Sequence, residues 1–558
     1  MITGTPGANW KEDRDMSRFN TRGHQAKAPV ATVTSPMGTT QQRTRTFEGG
    51  AAWIKDDKTD LFLRASASFN DGGDKFYETG YQRDAKLREL ACKVAVEDFV
   101  WFAQFVKWLR RTANIRTSAL MVAADGVKAR LEAGLLGDAG LGLGEHSNRT
   151  VIDSVLYRAD EPGELLAYWM NQYGRRIPKP VKRGVADAVA RLYNERSLLK
   201  YDTASHGVRF ADVLDLTHPT PDPDKAWQGD LFEHAIDRRH GRDVSVPTSL
   251  RIVHANLGLR EDERIESWLD PEFLSRAGMT WEDALSAVGS KVDKAKLWAA
   301  MIPSMGYMAL LRNLRGFDEA GVSNAVAQSV IAKLTDPEQV AKSRQLPFRF
   351  YSSYRNTNSL RWAQALETAL DYATANVPKL PGRTLILTDT SASMGTPMSQ
   401  KSTVQCLEAA GLFAAALAMR NAGSVDLWQY ADFAAPIDVP RGGSVLRVTS
   451  AVTDNRNKVG WGTNISGAIQ ATYNGHDRVI VLSDGQGTNR QSADGVAVTV
   501  PENIPVYLFN LEGYSASPMP TGKAARFDLG GLSDQTFKLI PLLESGSDGG
   551  WPWELDDK

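Results

Sequence analysis

Apolar positions fall into two textures along the 558 residues. From about residue 55 to 370 they recur at helical spacing. Leu87, Leu90, Ala91 and Val94 stand at i, i+3, i+4 and i+7, one face of an amphipathic helix, and Val100, Phe102, Phe105, Val106 and Leu109 continue that character. The same spacing predicts helices over 117–133, 163–173, 181–197, 225–239, 281–299 and 321–334, with breaks such as Pro219-Thr220-Pro221-Asp222-Pro223 between them. Strand-like alternation is scarce there. Such a run of helices predicts a solenoid of stacked helix pairs, and at roughly 40–47 residues per pair the length accommodates about seven. After Pro378-Lys379-Leu380-Pro381-Gly382 the texture changes. Predicted strands at 383–388, 424–430, 478–483 and 505–511 alternate with helices at 401–421 and 465–473, the pattern of a parallel sheet with crossover helices. The fold class is therefore mainly α with a C-terminal α/β domain, divided as 46–375 and 380–558. Residues 1–45, rich in Gly, Pro, Thr, Ser and Gln, read as a flexible arm; its Arg43 and Arg45 read first as solvated, with contact to nucleic acid as the alternative.

Composition changes this picture little. Apolar and charged fractions are those of a globular protein. The net charge of −1 hides an asymmetry: residues 380–558 carry 13 Lys and Arg against 18 Asp and Glu, so the helical part is mildly basic. That permits a polyanionic partner without demanding one. Cys92 and Cys406 fall in different segments, which excludes a disulfide framework and points to a reducing, cytoplasmic setting. The longest uncharged apolar stretches, such as Gly411–Met419, are too short to span a bilayer.

The densest chemistry lies in the second texture. Asp389-Thr390-Ser391-Ala392-Ser393 follows an apolar strand, Trp461-Gly462-Thr463-Asn464 precedes a helix, and Val479–Leu482 runs into Ser483-Asp484-Gly485. Together they supply two carboxylates and three hydroxyls, oxygen-only ligation that suits a hard divalent cation such as Mg²⁺. Ligands in parallel sheets bind outside the carboxyl ends of strands, where Asp389 and Asp484 fall. A metal-free capping cluster is the competing reading. The pattern Asp-x-Ser-x-Ser, then Thr, then Asp resembles the metal-ion-dependent adhesion site of von Willebrand factor A domains. By that resemblance Asp389, Ser391, Ser393, Thr463 and Asp484 are the metal ligands, with one position open to a partner's carboxylate or phosphate.

The helical part carries a second resemblance. Phe47-Glu48-Gly49-Gly50, Lys55-Asp56, Leu61-Phe62-Leu63, Arg110–Thr117 (RRTANIRT), Ala309–Arg315 (ALLRNLR) and Lys342–Phe350 (KSRQLPFRF) are similar to the TROVE module of the Ro ribonucleoprotein family. A TROVE module followed by an A domain is the Ro architecture. The resemblance implies a ring of HEAT-like repeats closed by a Rossmann-like A domain. It also implies small Y-like noncoding RNAs on the outer surface, single-stranded 3′ ends of misfolded RNAs in the central hole, and an exoribonuclease as a possible bacterial partner. A ring closed by its own ends would make the protein a monomer.

Candidate RNA contacts follow from charge and from this resemblance. Arg175, Arg176, Lys179, Lys182 and Arg183 put five cations in nine residues around two prolines. Those in the first turn of the following helix run against its dipole, which a phosphate would relieve, although a solvated basic turn explains them as well. Lys200 and His218 match the family's Y RNA-binding stretch. Ala204 stands where that family has a basic residue, and the segment is one residue longer than in animal relatives, so this site is expected to be weaker or tuned to another RNA. For the ring interior the candidates are Arg116, Arg312 and Arg315, then Arg344 and Arg349; arginine suits phosphate and stacks on bases, but arginines between helices also pair with carboxylates. The expectation is an RNA-binding scaffold or chaperone rather than an enzyme. The alternatives are a metal-dependent protein adaptor and a Mg²⁺-dependent phosphohydrolase, the latter disfavoured by Ser391 where a second carboxylate would help.

Overall fold

The computed structural model describes residues 43–45, 51–54, 56–67, 80–135, 146–242, 244–262, 264–343, 345, 347–357, 359–374, 377, 379–397, 404–440, 443–486, 500–512, 516–519, 525–530, 540–541, 544 and 551–555. The expected arm, save Arg43–Arg45, and Arg344 lie outside them. Fold class follows the expectation: the described residues between 57 and 374 are mainly helical, and a sheet lies in the C-terminal third.

The helices begin and end where local chemistry dictates. Phe99–Arg111 starts at Asp98, whose carboxylate accepts from Trp101 N at 3.1 Å, and buries Phe99, Phe102, Phe105, Val106 and Leu109. Gly80–Glu97 buries Leu87, Leu90, Ala91 and Val94, the predicted stripe. At Gly126 the helix Thr117–Glu132 presses so closely that a Cβ would lie 2.2 Å from the Phe102 ring, so only glycine fits. Two predicted helices are each split in two. The 181–197 span is Lys179–Leu192 and Glu195–Tyr201, because Asn194 caps the second through Ser197 N at 2.9 Å. The 281–299 span is Trp281–Val288 and Lys294–Met301, the second capped by Asp293. In both cases a short side chain that accepts from the following backbone competes with helix continuation.

Among the described residues nine strands form two sheets. In chain order they are β1 (Arg43–Arg45), β2 (Ala51–Ile54), β3 (Thr384–Asp389), β4 (Val425–Tyr430), β5 (Ala434–Pro436), β6 (Arg478–Ser483), β7 (Val506–Asn510), β8 (Ala516–Ser517) and β9 (Arg526–Gly530). The larger sheet has the order β5-β4-β3-β6-β7-β9, parallel except for the edge strand β5. Alternate β3 and β6 residues face opposite ways. Ile386, Ile480 and Leu482 pack with the buried helix Cys406–Arg420, and Leu385, Leu387, Val479 and Val481 pack with Ile465 and Ile469. The first of these cores is continuous with the helical array back to Leu259.

Both ends of the helical array meet this α/β unit. The helices Pro347–Asn356 and Leu360–Thr374 pack on Cys406–Arg420 and Val445–Asp454. The first helix, Asp57–Ala67, packs on β9, and β2 pairs with β8. Pro552–Leu555 packs on Phe99–Arg111, where Trp551 and Trp553 join Phe62, Trp101, Phe105 and Trp108 in one aromatic cluster. Strands β1 and β2 thus belong to a sheet completed by the C-terminal third, a pairing across 460 residues that local pattern does not carry.

Candidate metal centre and nucleic-acid interface

Strands β3 and β6 lie side by side in parallel register, Thr388 opposite Leu482, so their carboxyl ends emerge together. Asp389 ends β3 and Asp484 follows β6. Both carboxylates are buried, as are Ser391, Ser393 and Thr463. The first loop turns back on its own aspartate: Ser391 N donates to Asp389 Oδ1 at 2.8 Å, and Ser391 Oγ lies 3.3 Å from Ser393 Oγ. Ser483, absent from the sequence expectation, donates its hydroxyl to Asp389 Oδ2 at 2.6 Å. Gln486 N donates to Asp484 Oδ1 at 3.0 Å. The Thr463 loop is tied in by Ala392 N donating to Trp461 O at 3.1 Å and by Asn464 N donating to Ala431 O at 2.8 Å. All five predicted metal ligands therefore converge at one end of the sheet.

Burial pushes both carboxyls well above the ordinary carboxylate range. For Asp389, hydrogen bonds from Ser483 and Ser391 oppose the rise; for Asp484, the charge of Asp389 adds to it, and that of Glu512 contributes further. Glu512 is itself buried and accepts from Cys406 Sγ at 3.0 Å. Arg456, whose charge interacts with that of Asp389, spends its Nη2 on Ala392 O (3.1 Å) and Ser391 O (3.3 Å) rather than on a carboxylate. Among the described residues no three His, Cys, Asp or Glu side chains gather as a metal cluster, so a cation here would depend on the hydroxyl ligands.

The basic candidates divide sharply. Arg175, Arg176, Lys179 and Arg183 are exposed and Lys182 half-buried, and none forms an ion pair among the described residues. Their neighbours do: Arg149 with Asp187 (2.5 Å), Arg158 with Asp160 (2.6 Å), Arg191 with Asp153 (2.5 Å) and Arg209 with Asp202 (2.6 Å). Lys179 and Lys182 sit in the first turn of Lys179–Leu192, which has no acidic residue there. Lys200 is exposed, beside Tyr201, and His218 is exposed at φ 49°, the left-handed residue that ends Phe210–Thr217.

These groups are not gathered at one point. Lys225 Nζ donates to Ala190 O at 2.8 Å, which places the segment after His218 at the C-terminal end of Lys179–Leu192. Arg158, over the Tyr201 ring at 5.4 Å, places Lys200 near the start of Glu161–Tyr173. The Arg175–Arg183 run is at the opposite end of that helix pair, about 17 Å away at 1.5 Å rise per residue.

Arg116 departs from expectation. Its fork is held by Glu164 (2.5 Å), Asp160 (2.9 Å) and Glu161 (3.1 Å), and Arg110 binds the same buried Glu161 at 2.6 Å. The RRTANIRT string is thus a knot of ion pairs joining three helices, and its arginine is already committed. Arg315 pairs with Glu319 one turn along at 2.7 Å and stays exposed. Arg312 is exposed and unpaired among the described residues, and its charge adds to burial in lowering the basicity of Arg349, so these two cations lie within electrostatic reach of each other.

Comparison with known proteins agrees with this architecture. Residues 273–360 match the model of the TROVE domain, a span that includes the ALLRNLR and SRQLPFRF strings. Mouse telomerase protein component 1 is 35% identical over 123 residues, 19% of this chain, and its rat counterpart 32% identical over 123 residues. The chain spans about 5% of the length of these curated relatives. The crystal structure of Deinococcus radiodurans RO (RSR) protein superposes with a TM-score of 0.60 at 18% identity, covering 86% of this chain and 97% of that one. Residues 273–360 are thus similar to a TROVE domain, and the chain has the fold of the Deinococcus radiodurans RO (RSR) protein.

Proposed function

We propose that this protein is a noncoding-RNA-binding scaffold or chaperone, not an enzyme. It binds small Y-like RNAs and the single-stranded ends of structured or misfolded RNAs, as a monomer in the cytoplasm, with an exoribonuclease as a candidate partner. One observation carries the reading: the five cations between Arg175 and Arg183 form no ion pair among the described residues, whereas Arg149, Arg158, Arg191 and Arg209 on the surrounding segments each pair with a carboxylate. An unpaired cation in a first helical turn is unfavourable to the fold and favourable to a phosphate ligand. Lys200 and His218, one helix length away, extend the surface over about five nucleotide rises at 3.4 Å each, which suits a polymer rather than a small anion. Arg312 and Arg349, with no ion pair among the described residues, are a second place of unspent positive charge.

The carboxylate site fits a divalent cation. Its donors are all oxygen, and two buried acids that form no ion pair among the described residues leave a place for Mg²⁺, which Asp389, Asp484, Ser391, Ser393 and Thr463 would hold. Bound there, the ion would supply a Lewis-acidic docking point. The residues themselves would orient it.

The test is an electrophoretic shift with a structured RNA bearing a 3′ tail, the same RNA without it, and duplex DNA, across a salt series. Tail-dependent binding is expected, with a slope of about 0.7 log units per phosphate neutralised. Substituting Arg175, Arg176 and Lys179 together by Ala should flatten that slope by about 2. A salt-independent affinity overturns the reading.

A further inference from the structure

The two most exposed aromatic side chains among the described residues, Phe433 (59%) and Trp461 (53%), sit on the two loops that rim the carboxylate site. Single exposed apolar residues are ordinary; two on adjoining loops beside a ligand site call for a reason. Both loops are held in place. Trp461 N donates to Asp432 Oδ2 at 3.0 Å and Phe433 N to Val459 O at 3.3 Å, while Trp461 O accepts from Ala392 N at 3.1 Å. The Arg456 guanidinium lies over the Trp461 ring at 5.1 Å and is anchored to the carbonyls of Ser391 and Ala392, the backbone of the ligand loop. A flat indole, one side carrying a fixed cation and more than half of its surface in solvent, thus stands two residues from Thr463.

We infer that this rim is a stacking platform for an unpaired nucleotide whose phosphate completes the coordination of the cation on Asp389 and Asp484. The inference rests on the RNA-binding reading above. Its chemistry favours a nucleotide over an acidic peptide. Mg²⁺ held by one or two carboxylates ordinarily fills its remaining positions with water and phosphate oxygens. An indole face accepts any base, and a guanidinium beside it adds charge complementary to the backbone. An acidic peptide would satisfy the cation but leave the planar face unused. The platform is also distinct from the basic run at Arg175–Arg183, so one RNA strand could be held at two places by two different means.

The test uses the full chain and a pentauridylate carrying one 4-thiouridine, in Mg²⁺ and in EDTA. In Mg²⁺ photocrosslinks are expected at Trp461 or Phe433. Trp461→Leu should weaken pentamer binding roughly ten- to hundredfold, whereas Trp461→Phe should keep it within a few-fold. Because Trp461 is largely exposed, both variants should melt as the parent does. Crosslinks elsewhere with Trp461→Leu unchanged, while the tailed RNA still shifts, overturn the platform and leave the RNA reading intact. Absence of any RNA binding overturns the reading beneath it. Undiminished crosslinking in EDTA overturns the coordination of phosphate by the cation. Capture of an acidic decapeptide, abolished by Trp461→Leu, with no pentamer binding, overturns the nucleotide in favour of a protein ligand.

Discussion

Replacing Trp551 by alanine should release the first helices from the C-terminal unit. Trp551 is 1% exposed, stacked on Trp553 at 5.5 Å, edge-on to Trp101 at 4.7 Å and 5.8 Å from Phe62. Trp553 extends the contact to Trp101 (5.3 Å), Phe105 (5.7 Å) and Trp108 (5.9 Å). Truncating a buried tryptophan costs about 3–5 kcal/mol, and the cavity cannot be refilled by residues already packed in the cores of Phe99–Arg111 and Asp57–Ala67. Among the described residues the junction is also tied by the short β2–β8 pairing and the contact of Asp57–Ala67 with β9. A loss of that size is a large fraction of ordinary domain stability, so the junction should open before the sheet unfolds. Hydrogen exchange read by mass spectrometry locates the effect. In Trp551→Ala, amides of 57–67 and 99–111 should exchange at least tenfold faster, while those of 406–420 keep their protection. Trp553→Phe, which keeps an aromatic ring, should do much less. Equal protection of 99–111 in Trp551→Ala and the parent would refute the argument, because the aromatic cluster would then contribute nothing to closure.

Three further outcomes are expected. Arg116→Ala leaves Asp160, Glu161 and Glu164 short of one shared cation and should cost about 2 kcal/mol in urea unfolding; RNA affinity measured well below the melting temperature should change less than twofold, and a larger loss would restore Arg116 as a contact. Glu195 Oε2 accepts from Ile252 N (2.7 Å) and Val253 N (2.9 Å), capping the helix Arg251–Glu261 from another helix, so Glu195→Ala should lower stability by about 1–2 kcal/mol and Glu195→Gln by less, as read from thermal unfolding. The raised Asp389 and Asp484 carboxyls set the sign of a pH effect: the metal-free fold binds more protons than the unfolded chain above about pH 4, so their contribution falls as pH rises, and Mg²⁺ must displace those protons. The Mg²⁺-induced rise in Tm should therefore be larger at pH 8 than at pH 5; the reverse order would count against these two ligands.

What could be read from the sequence follows from the range of the interactions concerned. The carboxylate site was legible because adjacent parallel strands bring their ends together whatever lies between them, so two apolar runs each ending in aspartate already imply proximity. Ser483 was missed although it stands next to Asp484, because nothing in its letter distinguishes a hydroxyl aimed at Asp389 from one in a turn. The split of 181–197 was legible in principle, since Asn194 three residues before Ser197 is a capping pattern, but the apolar period runs straight through it. The β2–β8 pairing and the Trp551–Trp101 contact join the two ends of the chain, and no local period encodes them. Charge is the instructive case. Arg116 and Arg175 are the same residue in similarly basic strings, and composition ranks them alike. One sits opposite the first turn of Glu161–Tyr173, where Asp160, Glu161 and Glu164 all point at it; the other follows the last turn of that same helix, which carries no acid of its own and whose nearby Asp125 is taken up by Tyr168 and Tyr173. Acid at a helix start and its absence at a helix end are what the dipole favours, so the same rule that neutralises Arg116 leaves Arg175 with no ion pair among the described residues. A cation of that second kind contributes nothing to the fold by pairing, and its charge is available to whatever anion approaches from solvent.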